Sequence, residues 1–162
     1  MAQPRPPDPA DLACEIIAKF EGCRLYAYVD QAGVTTIGFG CTGPNIKHGD
    51  IWTPAKAAAE LKSRVEKIEH VMGAMVDVPL NPNQSAALVS LAYNIGLKAF
   101  ENSTLRRLLN QGNYLAAADQ FPQWDHAAGQ KNAGLTNRRR SERTLYLAPV
   151  KAKPSDKALG SV

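Results

Sequence analysis

The spacing of apolar residues changes at Gly22, from a helical period to short alternating runs. Before this point, Asp8 and the proline after it supply an N-cap and a first-turn residue for an amphipathic helix. After it, residues 24–40 contain two β-rich runs separated by a turn that begins at Asp30. Runs this short form a hairpin or meander. We therefore predict a small β-lobe over about residues 24–50.

Helix signals dominate the rest of the chain. Thr53 and the proline after it begin a run of about 20 residues, which as a helix would be ~30 Å long and could connect two lobes. Asn81 and Gln84 supply a capping box for a strongly apolar helix. Shorter helices are predicted at about 103–110, 114–121 and 136–147. The predicted fold is α+β and mostly α-helical, with a connecting helix at about 53–75 and a larger helical lobe at about 81–148.

The length of 162 residues suits one domain with a substantial core. We assign residues 1–150 to that domain and expect residues 151–162 to form a flexible tail, because they show no apolar periodicity. No run approaches 18 apolar residues, and the first residues do not resemble an export signal. We therefore expect no membrane anchor, synthesis in the cytoplasm and a monomer.

The chain carries a net charge of +4, with a pI near 9.0. This balance favours a polyanionic partner and does not by itself distinguish nucleic acid from a bacterial cell wall. The one local basic run is Arg138 to Arg140, and no aromatic residues interleave with it. That run is typical of a solvated helical face, so we expect no nucleic-acid partner.

The cysteines do not predict a metal site. Cys14, Cys23 and Cys41 lack the paired spacing of zinc ligands and have no histidines clustered with them. An odd number of cysteines is read first as reduced thiols, although one disulfide stays possible in an oxidising compartment. We expect no metal and no cofactor.

Three polar residues near the start of the chain suit hydrolysis of a sugar bond. Glu21 closes the first helix, Asp30 lies at the turn and Thr36 lies on the next strand. Such a set can provide an acid for the leaving oxygen, an anion facing the positive charge that develops on the sugar, and a ligand for the attacking water.

Glu21, Asp30 and Thr36, in this order and at this spacing, resemble the catalytic triad of the phage-type lysozymes, the endolysins of glycoside hydrolase family 24. Further resemblances follow in order, so that the likeness covers about residues 12–148. They are the segments TTIGFGCTG, NQSAALVSLAYNIG, AFENSTLRRLLNQGNY, AADQFPQW and GLTNRRRSERTLYL. The resemblance implies a lysozyme-like two-lobed fold and hydrolysis of the β-1,4 bond between N-acetylmuramic acid and N-acetylglucosamine in peptidoglycan.

The resemblance also implies roles for individual residues. Glu21 would be the general acid, while Asp30 and Thr36 would stabilise charge and hold water, with inversion at the sugar carbon. Arg138 resembles the family arginine that approaches the catalytic glutamate. Four positions align with cleft-facing residues and are candidate sugar contacts: Thr42, Tyr93, Asn94 and Ser103. Cys41 departs from the family pattern, since many relatives carry histidine there, and this puts local stability in question more than catalysis.

Two other functions stay open at this point. A lytic transglycosylase would cleave the same bond with one acid and no water, so the presence of both Asp30 and Thr36 argues against it. A wall-binding module without catalysis would keep the fold and lose the acid, yet Glu21 is present. For the endolysin, we expect release to the periplasm or cell wall to depend on a holin.

Overall fold

The computed structural model describes residues 5–151 and is mostly helical, with a small antiparallel sheet near the N-terminus. The α+β fold class predicted from the sequence is confirmed. The helices are α1 Pro9–Glu21, α2 Pro54–Gly73, α3 Pro82–Ile95, α4 Leu97–Glu101, α5 Thr104–Asn110, α6 Tyr114–Ala118 and α7 Ala133–Leu147, with a 3-10 helix at Phe121–Trp124. The strands are β1 Arg24–Val29, β2 Thr35–Gly38, β3 Cys41–Thr42, β4 His126–Ala127 and β5 Gln130–Lys131.

The first three helices begin at the predicted caps. Asp8 accepts a hydrogen bond from the Ala10 N–H, and Thr53 accepts one from the Lys56 N–H. Asn81 forms the predicted capping box with Gln84. These caps satisfy amide groups that have no partner within their own helix, so they fix where each helix starts.

The second half of the chain differs in detail from the prediction. The helix predicted at 114–121 ends at Ala118 and is followed by the 3-10 helix. The last helix starts at Ala133, three residues before the predicted position, because the Asn132 side chain caps it by accepting from the Leu135 N–H. Helix α4 and the β4–β5 hairpin were not predicted.

Two apolar cores organise the described residues. The larger core is formed by the buried faces of α1, α2, α3 and the later helices, with Phe100, Phe121 and Tyr146 among its largest members. The smaller core lies under the sheet and consists of Ile37, Cys41, Trp52 and Ala57. Since Ala57 belongs to α2, this helix contributes to both cores.

The sheet has the order β1-β2-β3, and in it Thr36 is opposite both Tyr28 and Thr42. The segment before α2 covers the outer edge of β1, where the Ala27 N–H donates to Asp50 O and the Trp52 N–H donates to Leu25 O. No helix among residues 5–151 is long and apolar enough to cross a membrane. The predicted tail falls almost wholly on residues 152–162, which lie outside the described part of the chain.

Candidate active site

Glu21 is the last residue of α1 and lies where three parts of the fold meet. Gly22 ends the helix with a φ of 65°, a conformation that favours glycine. The Arg138 Nη1 of α7 donates to Glu21 Oε1 at 2.5 Å. On the other side, a Cβ placed on Gly40 would lie 3.5 Å from Glu21 Oε2, so the turn between β2 and β3 passes beside the carboxylate. The Glu21 side chain is 23% exposed and is open to a ligand.

A buried network holds Arg138. Its Nε donates to Glu142 Oε1 at 3.1 Å, and its Nη2 donates to Ser90 O at 3.3 Å. The Ser90 hydroxyl donates to the same Glu142 oxygen at 2.7 Å. Each guanidinium nitrogen of Arg138 thus has its own partner, which fixes the plane of the group that meets Glu21.

Arg139 extends this network. Its Nε lies 3.1 Å from Glu142 Oε2, and its Nη2 donates to Asn94 Oδ1 at 2.7 Å. Burial raises the pKa of Glu142 and lowers the pKa of Arg139, while their mutual attraction opposes both changes. The interpretation of the arginine run as a solvated face is therefore wrong for Arg138 and Arg139, which are buried, and right for Arg140, which is exposed.

Asp30 fixes the turn between β1 and β2. Its Oδ1 accepts hydrogen bonds from the Ala32 and Val34 N–H groups, both at 2.9 Å. Gly33, with a φ of 80°, completes the turn. Since Oδ1 accepts both backbone hydrogen bonds, the Asp30 side chain is held in one orientation. The other oxygen, Oδ2, has no hydrogen bond among the described residues.

Thr36 lies within β2 and is 4% exposed. Its hydroxyl donates to Val34 O at 3.1 Å, which leaves the oxygen's lone pairs as acceptors. The strand carrying Thr36 leads directly into the turn at Gly40 that passes Glu21. The three predicted catalytic residues thus lie on consecutive elements, and their catalytic roles stay predictions.

The four predicted sugar contacts have different surroundings. The Tyr93 hydroxyl donates to Phe39 O at 2.6 Å, next to the turn that approaches Glu21. Burial, together with the charge of Glu21, raises the pKa of Tyr93 to about 12, so the phenol stays protonated at neutral pH. Asn94 is exposed and accepts from Arg139.

Thr42 is exposed, and its carbonyl accepts from Arg64 Nη2 at 2.7 Å. Ser103 is 6% exposed and caps α5: its hydroxyl donates to Phe100 O and accepts from the Arg106 N–H. The structure therefore shows a helix-capping role for Ser103. Sugar binding by these residues stays a prediction.

A cavity of about 520 Å³ adjoins this region on the side of the sheet. Thr42 lies at one wall, and Trp52, Lys56, Glu60 and Arg64 contribute to the others. The Lys56 ammonium lies 5.1 Å from the centroid of a Trp52 ring. Charged side chains beside an exposed threonine make a surface with which a sugar could form hydrogen bonds.

Cys41, at the position where the resemblance implies histidine, belongs to the smaller core and is fully buried. Burial raises the pKa of its thiol, so the thiol is neutral and packs as an apolar group. Cys14, Cys23 and Cys41 are all free thiols. Within residues 5–151 no cluster of side chains has the composition to hold a metal ion.

The sequence analysis missed Ser90 and Glu142, which hold Arg138. One signal was present, because Arg138 and Glu142 are four residues apart and face each other on a helix. The hydroxyl of Ser90 comes from another helix, and local spacing carries no signal for it.

Comparison with known proteins identifies the family. The family described as Phage lysozyme matches residues 18–142, a span that includes Glu21, Asp30, Thr36 and Arg138. The chain belongs to the phage lysozyme family. As a member, it is a glycoside hydrolase of the muramidase type that degrades peptidoglycan.

Individual relatives agree with this assignment. The endolysin of Salmonella phage P22 is 45% identical over 132 residues, which cover 79% of this phage lysozyme and 90% of the relative. The SAR-endolysin of Escherichia phage Mu is 36% identical over 136 residues, covering 84% and 79% of the two chains.

Solved structures show the same fold. The muramidase domain of SpmX from Asticaccaulis excentricus superposes with a TM-score of 0.79 at 35% identity, covering 85% of this chain and 95% of that domain. A crystal structure of a P22 lysozyme mutant gives a TM-score of 0.77 at 38% identity, covering 91% and 100%.

Proposed function

We propose that this phage lysozyme hydrolyses the β-1,4 bond between N-acetylmuramic acid and N-acetylglucosamine, with Glu21 as the general acid. The observation that carries the proposal is the setting of the Glu21 carboxylate. Arg138 holds Oε1, while Oε2 faces the turn at Gly40 and the side chain is partly open. A carboxyl group fixed through one oxygen can present the other to the glycosidic oxygen with little loss of rotamer freedom.

Asp30 and Thr36 supply the remaining chemistry in this proposal. The orientation of the Asp30 carboxylate is set by two backbone N–H groups, and Oδ2 can face the positive charge that develops at the sugar carbon. The Thr36 hydroxyl already donates to Val34 O, so it can accept a hydrogen bond from the attacking water. A direct attack by water inverts the configuration at the sugar carbon.

Product chemistry tests this mechanism against the transglycosylase alternative. Purified peptidoglycan is digested, and the new ends are identified by mass spectrometry, while the anomer formed first is read by NMR. Hydrolysis with inversion gives reducing N-acetylmuramic acid ends in the α configuration. Anhydro ends would assign the enzyme to the transglycosylases, and β-configured ends would reject the role given to the water at Thr36.

We further propose that the enzyme acts as a monomer and reaches the cell wall after a holin opens the inner membrane. Relatives include both proteins named endolysin and proteins named SAR-endolysin, so the release route needs a direct test. The chain is expressed in bacteria with and without a holin, and lysis is followed by turbidity. Lysis only when the holin is present supports the proposal, and lysis without it contradicts the proposal.

A further inference from the structure

Tyr26 and Ile51 form an apolar pair that is open to solvent at the outer edge of the sheet. Tyr26 is 68% exposed and Ile51 is 67% exposed, and they are opposite each other in an antiparallel bridge between β1 and the segment before α2. The backbone hydrogen bonds of this bridge lie on either side of the pair. This arrangement brings the two Cα atoms to about 4.5 Å and places both side chains on one face. An aromatic ring and a branched aliphatic chain thus lie side by side in water.

The neighbours of the pair explain why it is exposed. Leu25 and Ala27, on either side of Tyr26, pack against the smaller core, and Trp52, next to Ile51, belongs to that core. Because side chains alternate between the two faces of an extended segment, Tyr26 and Ile51 project away from the core. The two side chains therefore have no part in the packing of the β-lobe and are free to contact a ligand.

The cavity of about 520 Å³ borders this pair, because Ile51 contributes to its wall. Its charged walls are two cations and two carboxylates: Lys56, Arg64, Asp50 and Glu60. The formal charges cancel, so the cavity has no net attraction for a polyanion or a polycation. A ligand that is uncharged and rich in hydrogen-bonding groups suits such a cavity.

Two of the charged walls hold the surrounding loop in place. Asp50 Oδ2 accepts from the Lys47 N–H at 2.8 Å, and Arg64 Nη2 donates to Thr42 O at 2.7 Å. These contacts connect both ends of the loop to a fixed partner. The shape of the cavity is therefore set before a ligand enters.

The remaining polar walls are available to a ligand. The side chains of Asn45, Lys56 and Glu60 are exposed, and none of them forms a hydrogen bond or an ion pair with another residue of the range 5–151. The Lys56 ammonium is positioned by the Trp52 ring, whose centroid lies 5.1 Å away. An amide, an ammonium and a carboxylate can together donate to and accept from hydroxyl and acetamido groups.

We propose that Tyr26, Ile51 and this cavity form an accessory glycan site on the β-lobe, separate from the candidate catalytic residues. The inference rests on the proposed function, because it takes the glycan strand of peptidoglycan as the ligand. A sugar ring is apolar on the faces that carry its C–H bonds and polar at its edge. It can therefore lie on the Tyr26 ring, place an acetyl methyl group against Ile51 and direct its polar groups into the cavity.

Other occupants fit these observations less well. A stable protein interface buries about 800 Å² on each partner, whereas this apolar surface consists of two side chains beside a polar cavity. The glycan is also close at hand. Thr42, another wall of the cavity, follows the turn at Gly40 that passes Glu21, so a strand held near Glu21 could extend into the cavity.

A binding experiment tests the site without relying on catalysis. The probe is chitotetraose, an uncharged oligomer of N-acetylglucosamine, and binding is followed by NMR titration in a Glu21→Gln background that prevents cleavage. Amides of residues 50–52 report on the accessory glycan site. Tyr26→Thr removes the ring but keeps a residue that favours strands, and Tyr26→Phe keeps the ring. Leu115→Ala is the matched control, because Leu115 is 71% exposed and lies on α6, outside the cavity.

Chitotetraose should shift the amides of residues 50–52. Tyr26→Thr should weaken this binding by about fivefold, while Tyr26→Phe and Leu115→Ala should leave it within about twofold of the background protein. An absence of shifts at residues 50–52, or equal affinities in Tyr26→Thr and Tyr26→Phe, would overturn the proposal. Tighter binding of poly(glycerol phosphate) than of chitotetraose would overturn it in favour of a phosphate polymer. Dimerisation in sedimentation experiments that Tyr26→Thr abolishes would overturn it in favour of a second copy of the chain.

A kinetic experiment separates this inference from the proposed function. On peptidoglycan, Tyr26→Thr should raise the KM by about fivefold with a smaller change in kcat, because the ring binds sugar away from the cleaved bond, and Leu115→Ala should match the parent. If the parent cleaves peptidoglycan and Tyr26→Thr has the parent KM, the accessory glycan site is rejected while the muramidase stands. If the parent does not cleave peptidoglycan, the proposed function fails, and the NMR titration still decides whether the site binds a glycan.

Discussion

Arg138 connects Glu21 to the interior of the helical core through a single side chain. It reaches the carboxylate of Glu21, the carboxylate of Glu142 and the carbonyl of Ser90, and it is 4% exposed. A lysine would keep the charge but could not place three nitrogens in one plane. The residue that positions the candidate acid is therefore also part of the core.

Replacing Arg138 should affect both stability and catalysis. Arg138→Gln leaves Glu142 buried beside Arg139 alone and should lower the free energy of unfolding by about 3–5 kcal/mol. Arg138→Lys should unfold at a urea concentration between those of Arg138→Gln and the parent. It should also turn over peptidoglycan more slowly than the parent, because Glu21 loses its fixed partner. Urea unfolding and kcat measure these effects. Arg140→Lys is the control, and an Arg138→Lys enzyme as stable and active as that control would contradict the positioning role.

Tyr93 makes a pH-dependent contribution to stability. Because its pKa is raised from 10.0 to about 12, the folded protein holds the phenolic proton more tightly than the unfolded chain. The resulting stability is complete below about pH 10 and is lost as the pH rises through about 12. Tyr93→Phe should remove the loss of stability that ionisation of Tyr93 causes at alkaline pH. At neutral pH it should lower the free energy of unfolding by about 1 kcal/mol, because the hydrogen bond to Phe39 O is missing.

The tyrosinate absorbance, recorded during a pH titration of the folded protein, checks this expectation. Tyr146 is also shifted to about 12, so its phenylalanine variant is measured in parallel. If the absorbance change near pH 12 is as large in Tyr93→Phe as in the parent, Tyr93 is not one of the tyrosines whose pKa is raised to about 12.

Helix α1, which carries Glu21 at its end, is anchored at its start by Asp8. The Asp8 side chain caps the helix through the Ala10 N–H, and the Lys62 ammonium of α2 lies 3.1 Å from Asp8 and 2.7 Å from Asp11. Burial opposes ionisation of Asp8, but the hydrogen bonds from Lys62 and Ala10 outweigh it and lower the pKa. One residue thus defines the start of α1 and links it to the long helix.

Substitutions of Asp8 separate its two contributions. Asp8→Ala should cost about 1 kcal/mol through loss of the cap, while Asp8→Ser should keep most of the cap and lose the ion pair. Since the lowered pKa favours the ionised folded state, the Asp8 contribution is present above about pH 4 and is lost as the pH falls. Thermal unfolding across this range measures both effects. If the parent and the Asp8→Ser variant lose the same stability as the pH falls, the ion pair between Asp8 and Lys62 does not contribute to it.

Elements set by local signals could be predicted from the sequence. Asp8, Thr53 and Asn81 act within a few residues of themselves, so their helices begin where the caps indicate. The start of α7 was missed although Asn132 is a local cap, because Gly134 in its first turn is a poor helix former and obscures the helical pattern. There the Asn132 N–H donates to Asp125 O.

In the candidate site too, the features set by local signals could be predicted and those that depend on distant contacts could not. The positions of Glu21, Asp30 and Thr36 followed from an acid at a helix end, a turn and a strand, all of which are local features. The burial of Arg138 and Arg139 depends on Glu142 and on α3, so a run of three arginines looked solvated. The pairing with Glu142 is local and visible in the spacing, but the contacts of the two arginines with Glu21, Ser90 and Asn94 are not.

The sheet and the long helix are joined by the smaller core. Gly38, with a φ of 66°, lets the backbone of β2 approach the Trp52 ring, and Trp52 packs with Ala57 of α2. A Cβ at this position would lie 2.9 Å from Trp52 Cζ3. The position of the sheet beside the helical part thus depends on a close contact that a side chain would obstruct.

Gly38→Ala should destabilise the protein by about 1–3 kcal/mol, from backbone strain and overpacking against the indole. Gly73→Ala is the control, because this glycine ends α2 with open space around its Cβ position, and the change should be neutral or stabilising by up to about 1 kcal/mol. Chemical denaturation compares the two. Equal stabilities would mean that the indole moves freely and does not hold the sheet in place.

The rate of peptidoglycan cleavage by Glu21→Gln tests the account most directly, with Glu15→Gln as a matched change on an exposed position of the same helix. General acid catalysis contributes about 10²–10⁴-fold. We therefore predict that Glu21→Gln lowers kcat by at least about 100-fold while its melting transition shows a folded protein, and that Glu15→Gln keeps the parent rate. A folded Glu21→Gln enzyme with a rate close to that of Glu15→Gln would contradict the assignment of Glu21 as the acid.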